Sequence, residues 1–329
     1  MKISYFFISS YLFGKGHQVR AENYQQAFKK YNDKIKIINL VNKKNRLIYN
    51  FLKLNEKIKK NDVIFFDISN RFFFNNLNNA KLLKKIFKLY SSKIVVIDGL
   101  NKEIISNKFR YRYKAVIIPY IFDQELLNKI KNVKYFIGIK YFITKKFKIL
   151  KKNNNLKKKN ILFTSGGSDK ENSTVKFLKI LKFINLDNIK FSILIGPNFK
   201  RLYVNNIRKF CKKGKLNVKF LKFKKDIYTN IVDKDIVITS SGLTKYDLLY
   251  LRKPLIVFPE NKDQKKVDKK FKKIFHQFYL DDLSCCKRNS IRLNKMIISK
   301  KNITNYYNIT KNIKMNKFKL IYNFIKNDF

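Results

Sequence analysis

Short apolar runs alternate with longer amphipathic segments along nearly the whole chain, and this alternation constrains the fold more than any other feature. Runs such as 63–67 and 93–97 are continuous stretches of Ile, Val and Phe. Continuous apolar runs are typical of strands that are buried on both faces. Strands that alternate with helices form parallel sheets. The pattern therefore predicts an α/β protein with doubly wound parallel sheets.

The alternation predicts ten strands separated by helices. The strands are expected at 2–9, 35–40, 63–67, 93–97, 115–118, 160–164, 190–195, 217–223, 235–239 and 254–258. The helices are expected at 20–31, 46–59, 79–90, 173–185, 198–212, 226–232, 243–251 and 263–276, with a last helical stretch at 303–327. Apolar residues on the first helix recur with the helical period and predict the face that packs on the sheet.

A polar Lys/Asn-rich stretch at 144–160 interrupts this pattern, which restarts after it. Single cores rarely grow beyond about 250–300 residues, so the 329 residues predict two domains. We expect a Rossmann-like domain at 1–148, a linker at 149–158, a second domain at 159–300 and a helical segment at 301–329. The two domains are expected to face a cleft, because ligands of such sheets bind at the carboxyl ends of the strands.

The formal net charge of +53 suggests nucleic acid or an anionic membrane as a partner. However, only ten of the 75 basic residues are arginine, Trp is absent, and Gly and Pro are scarce. The bias towards residues with A/T-rich codons indicates an A/T-rich genome, and it explains most of the charge. A nucleic-acid surface would favour Arg, so we expect no specific nucleic acid as a partner. A basic nucleic-acid-binding protein stays open as an alternative of another class.

Cysteine use and hydropathy indicate a cytoplasmic protein. The three cysteines, Cys211, Cys285 and Cys286, form no C-x-x-C pair and no zinc-binding spacing, which fits a reducing compartment. No apolar run reaches the length of a transmembrane helix, so stable membrane insertion is not expected. The oligomeric state is left open.

Glycine turns follow three of the predicted strands and are candidate ligand sites. Gly14, Gly16 and His17 precede the first helix, where His17 could serve as a general base. Ser165–Asp169 follows a strand of the second half, and Ser240–Thr244 follows another, with Asp247 one turn into the next helix. Such turns either bind a phosphate at the start of the helix or are ordinary tight turns and caps.

Asp residues occur at both ends of strands, with different implications. Asp67 and Asp98 end apolar strands and are expected at the ligand-binding edge of the sheet. Asp233 and Asp235 form a D-x-D sequence that precedes its strand, so we interpret it as structural. This D-x-D sequence is therefore not expected to bind a metal ion. We expect no metal site and no cofactor.

In order and spacing, these segments resemble the UDP-sugar hydrolases of pseudaminic acid biosynthesis and the related spore-coat-polysaccharide-type proteins. These proteins are relatives of the family 28 glycosyltransferases. The opening G-x-G-H-x-x-R of the family is matched from Gly14 to Arg20, and a G-x-x-Y element near the end of the first domain is matched at 138–141. The S-x-G-G-S-D element is matched in its last five positions at 165–169, with N-x-T at 172–174.

The nucleotide motif of the family is matched less closely. The sequence from Gly242 to Asp247 corresponds to G-S-T-x-x-E, and Gln264 follows as in the family. The departures from the usual residues are Leu243 for serine, Asp247 for glutamate, Arg252 for glycine and Asp263 for asparagine. A shorter acid at 247 would have to lie closer to the ribose.

The resemblance implies a GT-B architecture with two Rossmann-like domains and a C-terminal helix that returns to the first domain. It implies metal-independent chemistry with His17 as the catalytic residue. The substrate-binding residues that it implies are Gly14, Gly16, Arg20, Tyr141, Gly166, Gly167, Ser168, Ser241, Gly242, Thr244, Asp247 and Gln264.

These implications favour a hydrolase that removes UDP, with inversion, from a UDP-linked amino sugar in nonulosonic acid or surface polysaccharide biosynthesis. A GT-B glycosyltransferase, which passes the sugar from a UDP-sugar to an acceptor, is the alternative. The departures in the second domain leave open a third interpretation, in which the chain binds a nucleotide sugar without turnover.

Overall fold

Two α/β units make up the computed structural model, which describes residues 1–10, 15–68, 70–97, 112–121, 130–145, 159–185, 187–224 and 227–329. The first unit comprises Met1–Lys145 together with Lys314–Phe329, and the second comprises Lys146–Ile313. The chain thus passes from one unit to the other within the polar stretch at 144–160. Residues 146–158 of that stretch lie outside the described part of the chain, as does Asp98.

The first unit is built on a parallel sheet with the strand order β2-β1-β3-β4-β5-β6. The strands are β1 Ile3–Phe7, β2 Ile35–Asn39, β3 Val63–Asp67, β4 Ile94–Ile97, β5 Ala115–Ile118 and β6 Lys134–Ile137. All residues of β1, β3, β4 and β5 are buried, in keeping with their continuous apolar sequences. The sequence pattern does not predict β6, because this edge strand is half-exposed and begins with a lysine.

Helices cover this sheet and bury one face each. They are α1 Gly16–Lys29, α2 Phe51–Lys59, α3 Arg71–Phe74 and α4 Leu77–Leu89. On α1, the residues Ala21, Tyr24, Ala27 and Phe28 lie in the core of the unit. This is the face that the helical period of the sequence predicts. Because α1 follows β1 closely, its first turn lies at the carboxyl edge of the sheet.

The chain returns to the first unit through its last helix. Before that helix, the Asn316 N–H donates to the carbonyl oxygen of Phe142 over 3.2 Å, and the Asn316 Oδ1 accepts from the Thr144 N–H over 2.9 Å. Asn316 has a φ of 59°, a conformation that Asn adopts more readily than most residues. The expected helix at 303–327 is therefore interrupted here. The side chains that the last helix buries in the core of the first unit are Phe318, Ile321 and Ile325.

The second unit contains a five-stranded parallel sheet with the order β11-β10-β7-β8-β9. The strands are β7 Lys159–Thr164, β8 Ile189–Ile195, β9 Val218–Lys222, β10 Ile236–Ser240 and β11 Leu255–Phe258. Each of them overlaps a strand predicted from the sequence. On the helix after β7, the expected face is buried in the core through Phe177, Leu178 and Leu181, and Ile184, which follows the end of the helix, is buried with them.

The helices after β7 differ from the expectation in three places. They are α5 Ser173–Leu181, α6 Arg201–Lys213, α7 Tyr228–Ile231, α8 Thr244–Tyr250, α9 Lys262–Val267, α10 Lys269–Ile274, α11 Cys286–Ile298, α12 Lys300–Lys311 and α13 Phe318–Asp328. The expected helix at 263–276 is divided at Asp268, whose side chain is tied to α8. Helix α11 is not predicted, because its few buried apolar residues are scattered among Lys, Arg and Asn. The segment 301–329 is shared, with α12 in the second unit and α13 in the first.

The predicted fold class is confirmed, since each unit is a doubly wound α/β layer structure around a parallel sheet. Continuous apolar strands are the feature that carries this prediction, because helices on both faces shield them from water. Among the described residues, no helix combines the length and the apolar character needed to cross a bilayer.

Candidate functional site

Both sheets reverse their strand order once, and polar side chains gather at both reversals. In the first unit the chain runs from β1 to β2 and then to β3 on the opposite side of β1. In the second unit it runs from β7 through β8 to β9, and then to β10 on the other side of β7. Ligands of doubly wound sheets bind at the carboxyl ends of the strands beside such a reversal.

His17 and Asp67 meet at the reversal in the first unit. Asp67 ends β3 and pairs with Phe7, which ends β1, and His17 is the second residue of α1. The Nδ1 atom of His17 lies 2.6 Å from Oδ1 of Asp67. The His17 side chain is 12% exposed, whereas that of Asp67 is fully buried. The topology of the sheet thus joins two residues that lie far apart in the sequence.

Three further donors hold the buried Asp67 carboxylate. Nε of Arg20 donates to Oδ2 over 2.6 Å, and Nη2 of Arg20 donates to Oδ1. The hydroxyl of Tyr5 donates to Oδ2 over 2.8 Å. Burial by itself favours the neutral acid, but the Arg20 guanidinium and His17 outweigh it and hold the pKa of Asp67 well below its usual range. Asp67 is therefore ionised at neutral pH.

This arrangement suits His17 to act as a general base. A carboxylate at Nδ1 accepts the Nδ1–H and so selects the tautomer in which Nε2 carries the lone pair. The ionised Asp67 also stabilises the imidazolium that forms when Nε2 takes up a proton. The pair can therefore remove a proton from a water molecule or from a hydroxyl group.

Arg20 lies behind this pair and not at an exposed surface. The residue is 5% exposed, and its guanidinium donates to Asp67 and, through Nη1, to the hydroxyl of Tyr120. Its guanidinium carbon also lies 5.8 Å from the centre of the Tyr120 ring. Arg20 therefore supports Asp67, because the buried carboxylate requires a cation beside it, and its contact with substrate stays a prediction.

The other candidates of the first unit have different surroundings. Gly14 lies outside the described residues, and Gly16 begins α1 next to His17. Tyr141 is 9% exposed and lies in the core of the unit, with its ring centroid 5.3 Å from that of Phe136. A short 3-10 helix, Ile139–Tyr141, turns the ring inward. The structure thus places Tyr141 in the core, and its contact with substrate stays a prediction.

In the second unit, the glycine turn after β7 lies beside the end of β10. Gly166 has a φ of 82°, and a Cβ atom placed on it would lie 3.7 Å from the Ser240 Oγ. Gly167 and Ser168 complete the turn, and all three turn residues are partly exposed. The turn is therefore open to a ligand at the reversal of the sheet, which is where the sequence motif predicts substrate binding.

Ser241 belongs to the buried support of the loop after β10. Its Oγ accepts from Nζ of Lys245 over 2.8 Å, and the same Nζ donates to Asp268. All three residues are 1% exposed. Burial lowers the pKa of Lys245, and the nearby Asp268 opposes that shift. The candidates of this loop and helix that remain partly exposed are Gly242, Thr244 and Asp247.

Asp169 and Gln264 follow β7 and β11, and they are two further polar residues at the carboxyl edge of the second sheet. The carboxylate of Asp169 accepts from the N–H groups of Ser173 and Thr174 over 2.7 and 3.0 Å, and from the Tyr203 hydroxyl over 2.6 Å. Asp169 therefore caps α5. Gln264 is partly exposed and is hydrogen-bonded to Glu260.

Several of these contacts have no local signature in the sequence. The roles of Lys245, Asp268, Tyr203 and Glu260 depend on partners in other elements, so spacing along the chain does not reveal them. The D-x-D sequence is structural: the Asp235 carboxylate accepts from the Asn160 N–H over 2.7 Å, at the start of β7. In the part of the chain that the structure describes, no group of three or more His, Cys, Asp or Glu residues is placed to hold a metal ion.

Comparisons with known proteins support this assignment of the fold. Residues 160–319 match the model of the glycosyltransferase family 28 C-terminal domain. An uncharacterized protein of Methanocaldococcus jannaschii, MJ1062, is 26% identical over an alignment of 279 residues that covers 72% of this chain. The match covers 57% of the length of that protein, so the chain spans little more than half of its relative.

Similar solved structures cover nearly the whole chain. MurG of Acinetobacter baumannii has a TM-score of 0.63 with 12% identity, and the match covers 99% of both chains. The spinosyn rhamnosyltransferase SpnG has a TM-score of 0.62 with 10% identity over 94% of this chain and 95% of its own. HepE of Anabaena, solved with UDP and glucose, has a TM-score of 0.59 with 11% identity over 94% of both chains. The chain therefore has a GT-B fold, and its second unit is similar to family 28 glycosyltransferases.

Proposed function

We propose that this chain transfers a sugar from a UDP-sugar to an acceptor hydroxyl, with His17 as the general base. The observation that carries the proposal is the 2.6 Å contact between His17 Nδ1 and the buried, ionised Asp67. The family 28 match of residues 160–319 supports a glycosyltransferase-like protein. Similar folds solved with UDP or thymidine diphosphate support a nucleoside diphosphate as the leaving group.

In the proposed reaction, Nε2 of His17 accepts the proton of the attacking hydroxyl. The oxygen then forms a bond to the anomeric carbon, and the bond from that carbon to the β-phosphate oxygen breaks. The electron pair of that bond leaves with UDP, and the configuration at the anomeric carbon inverts. Asp67 stabilises the imidazolium, and Arg20 keeps Asp67 ionised. The accessible turn of Gly166, Gly167 and Ser168 is proposed to contact the diphosphate.

Hydrolysis of a UDP-linked amino sugar differs only in the nucleophile, which is then water. The match of Gly14–Arg20 to the family of UDP-sugar hydrolases is the observation that favours it. The same base and the same donor site would serve both reactions. A surface polysaccharide or its nonulosonic acid precursor is the product class that we propose in either case.

The test is release of UDP from UDP-N-acetylglucosamine, UDP-glucose and UDP-linked amino sugars, with and without sugar acceptors. We expect His17→Ala and Asp67→Asn to lower the rate by about 10²–10⁴-fold, because each removes part of the base. His276→Ala is the matched control, since His276 is the other histidine of the chain and is exposed. The control is expected to keep the wild-type rate.

The outcomes separate the alternatives. UDP release that requires an acceptor supports transfer, whereas free sugar in the absence of any acceptor supports hydrolysis. A His17→Ala variant as active as wild type would show that His17 is not the base. A wild-type protein that neither binds nor consumes any of these donors would overturn the proposed function.

A further inference from the structure

Glu260 connects α9 to α5 at the carboxyl edge of the second sheet. It lies between β11 and α9, and its N–H donates to the Gln264 Oε1 over 2.8 Å. Gln264 Nε2 donates back to Oε2 of Glu260 over 3.2 Å. The other carboxylate oxygen, Oε1, accepts from the hydroxyl of Ser173, the first residue of α5, over 3.4 Å. Glu260 therefore ties the start of α9 to the start of α5.

These contacts orient the Gln264 amide. Its oxygen faces a backbone N–H, which can only donate, so the amide nitrogen must face the carboxylate of Glu260. An NH₂ group has two hydrogens, and Glu260 engages one of them. The second hydrogen points away from Glu260 and can donate to a ligand. The orientation of Gln264 thus depends on Glu260 as well as on α9.

The charged groups that face Glu260 come from the turn between β7 and α5. Asp169 and Glu171 face it with negative charge, and Lys170 faces it with positive charge. The contacts from α5 and α9 are a neutral hydroxyl and a neutral amide. Burial, followed by the charge of Asp169, raises the pKa of Glu260 to about 7. A proton at this position therefore exchanges near neutral pH.

The turn that carries Asp169 also carries Gly166 and Gly167, where the proposed function places the diphosphate. A diphosphate at that turn adds negative charge to the same turn whose Asp169 already raises the pKa of Glu260. Like charges favour the neutral form of a carboxyl group, so the bound anion and an ionised Glu260 disfavour each other. A proton on Glu260 removes this repulsion and leaves its second oxygen able to accept from Gln264.

We propose that Glu260 is a positioning residue of the nucleotide-sugar site, which orients the Gln264 amide and takes up a proton when the diphosphate binds. This inference rests on the proposed function, since it needs the diphosphate at the turn after β7. Binding is then linked to pH: the affinity rises as the pH falls through the range in which Glu260 becomes protonated. Proton uptake on binding is the direct consequence.

The probe is UDP-glucose, because its diphosphate is esterified at both ends and keeps its charge between about pH 6 and pH 8, unlike the terminal phosphate of UDP. Calorimetric titration of the full chain is carried out across this range, in buffers of different ionisation enthalpy. If binding raises the pKa of Glu260 by one unit, the dissociation constant at pH 6 is expected to be about fivefold lower than at pH 8. Proton uptake should appear as a buffer-dependent enthalpy.

Glu260→Gln keeps the shape of the side chain and removes its titration. We expect this variant to lose most of the pH dependence and of the proton uptake, and to bind UDP-glucose at pH 8 more tightly than wild type. Glu171→Gln is the matched control, because it removes one exposed negative charge from the same turn. The control should retain both the pH dependence and the proton uptake.

The outcomes distinguish this inference from the proposed function. If UDP-glucose binds and Glu260→Gln shows the same pH profile and proton uptake as wild type, the inference is wrong and the proposed function stands. If UDP-glucose, UDP-N-acetylglucosamine and UDP all fail to bind, both are wrong. A second measurement does not depend on the folding of a variant. Carbon-13 NMR of labelled glutamate in the wild-type protein should show one carboxyl group that titrates near neutral pH, and its pKa should rise when the ligand binds.

Discussion

At the scale of single residues, the molecule stabilises a buried negative charge by surrounding it with donors. Asp67 is fully buried and is bonded to Arg20, His17 and Tyr5. A buried ion pair adds little net stability compared with apolar residues, but the loss of one partner is costly because the other charge is left uncompensated. Arg20 therefore matters both for the fold of the first unit and for the charge behind His17.

Arg20→Ala is expected to lower the free energy of unfolding at neutral pH by about 3–5 kcal/mol. In the wild type, the pKa of Asp67 lies below its value of about 3.9 in the unfolded chain. The stability that the ionised Asp67 provides therefore begins to fall only below about pH 4, and it is lost as the pH falls through the lower pKa of the folded state. Without Arg20, burial raises that pKa, and acidification stabilises the variant. The difference in the free energy of unfolding between wild type and Arg20→Ala should therefore become smaller as the pH falls. Urea unfolding at several pH values measures it.

The control for this prediction is Arg292→Ala. Arg292 pairs with Asp281 over 3.2 Å, and the side chains are 38% and 29% exposed. Exposed ion pairs contribute about 0–1 kcal/mol, so this variant should unfold close to wild type. An equal loss of unfolding free energy in Arg20→Ala and Arg292→Ala would contradict the role given to Arg20.

At the scale of elements, the turn after β8 is packed directly against the glycine turn after β7. A Cβ atom on Gly196 would lie 2.3 Å from the Gly166 carbonyl oxygen and 2.7 Å from that of Gly167. The N–H of Asn198 donates to the same Gly167 oxygen over 2.9 Å. Glycine at 196 thus allows the two turns to approach, and this approach holds the proposed diphosphate turn in place.

Gly196→Ala is expected to destabilise the second unit by about 1–3 kcal/mol, because the added methyl group meets backbone atoms that cannot move away cheaply. The affinity for UDP-glucose should fall as well, since the turn after β7 must shift. Thermal unfolding and calorimetric titration measure the two effects.

Gly242→Ala is the comparison for stability, because a Cβ atom there meets no atom within 4 Å. It should change the unfolding temperature by much less than Gly196→Ala. If the two substitutions are equally harmless, the two turns do not pack as closely as described.

At the scale of the whole molecule, the first unit is discontinuous in sequence. Its core is completed by α13, which is separated from the rest of the unit by residues 146–313. The side chains of Phe318, Ile321 and Ile325 lie in the same core as the buried face of α1. The ring centroids of Phe318 and Phe28 are 4.8 Å apart in an edge-to-face arrangement. The core of the first unit is therefore complete only when α13 has packed into it.

Ile321→Ala is expected to lower the free energy of unfolding by about 2–5 kcal/mol, because it leaves a cavity in this core. Hydrogen exchange followed by mass spectrometry should show faster exchange in the strands of the first unit, while the strands of the second keep their protection. Leu320→Ala is the control, since Leu320 is 46% exposed on the same helix. Loss of protection in the second unit alone would contradict this assignment of α13.

The sequence by itself determines the order and the class of the elements. Burial on both faces requires continuous apolar runs, so β1, β3 and β7 can be recognised without a structure. It also identifies His17 and Asp67 as residues near strand ends, because the carboxyl edge of a parallel sheet follows from chain direction. The edge strand β6 and the helix α11 cannot be recognised in this way, since partial exposure dilutes the periodic signal.

Only the tertiary structure decides which of these residues meet. The contact between His17 and Asp67 depends on β3 pairing with β1, a choice that local periodicity does not encode. Arg20 becomes a buried partner of Asp67, Tyr141 becomes part of the core, and Glu260 meets Ser173 across the end of the sheet. Local patterns show which segments prefer water and which prefer the interior. The partners of a buried polar group depend instead on which strands lie next to each other in the folded sheet.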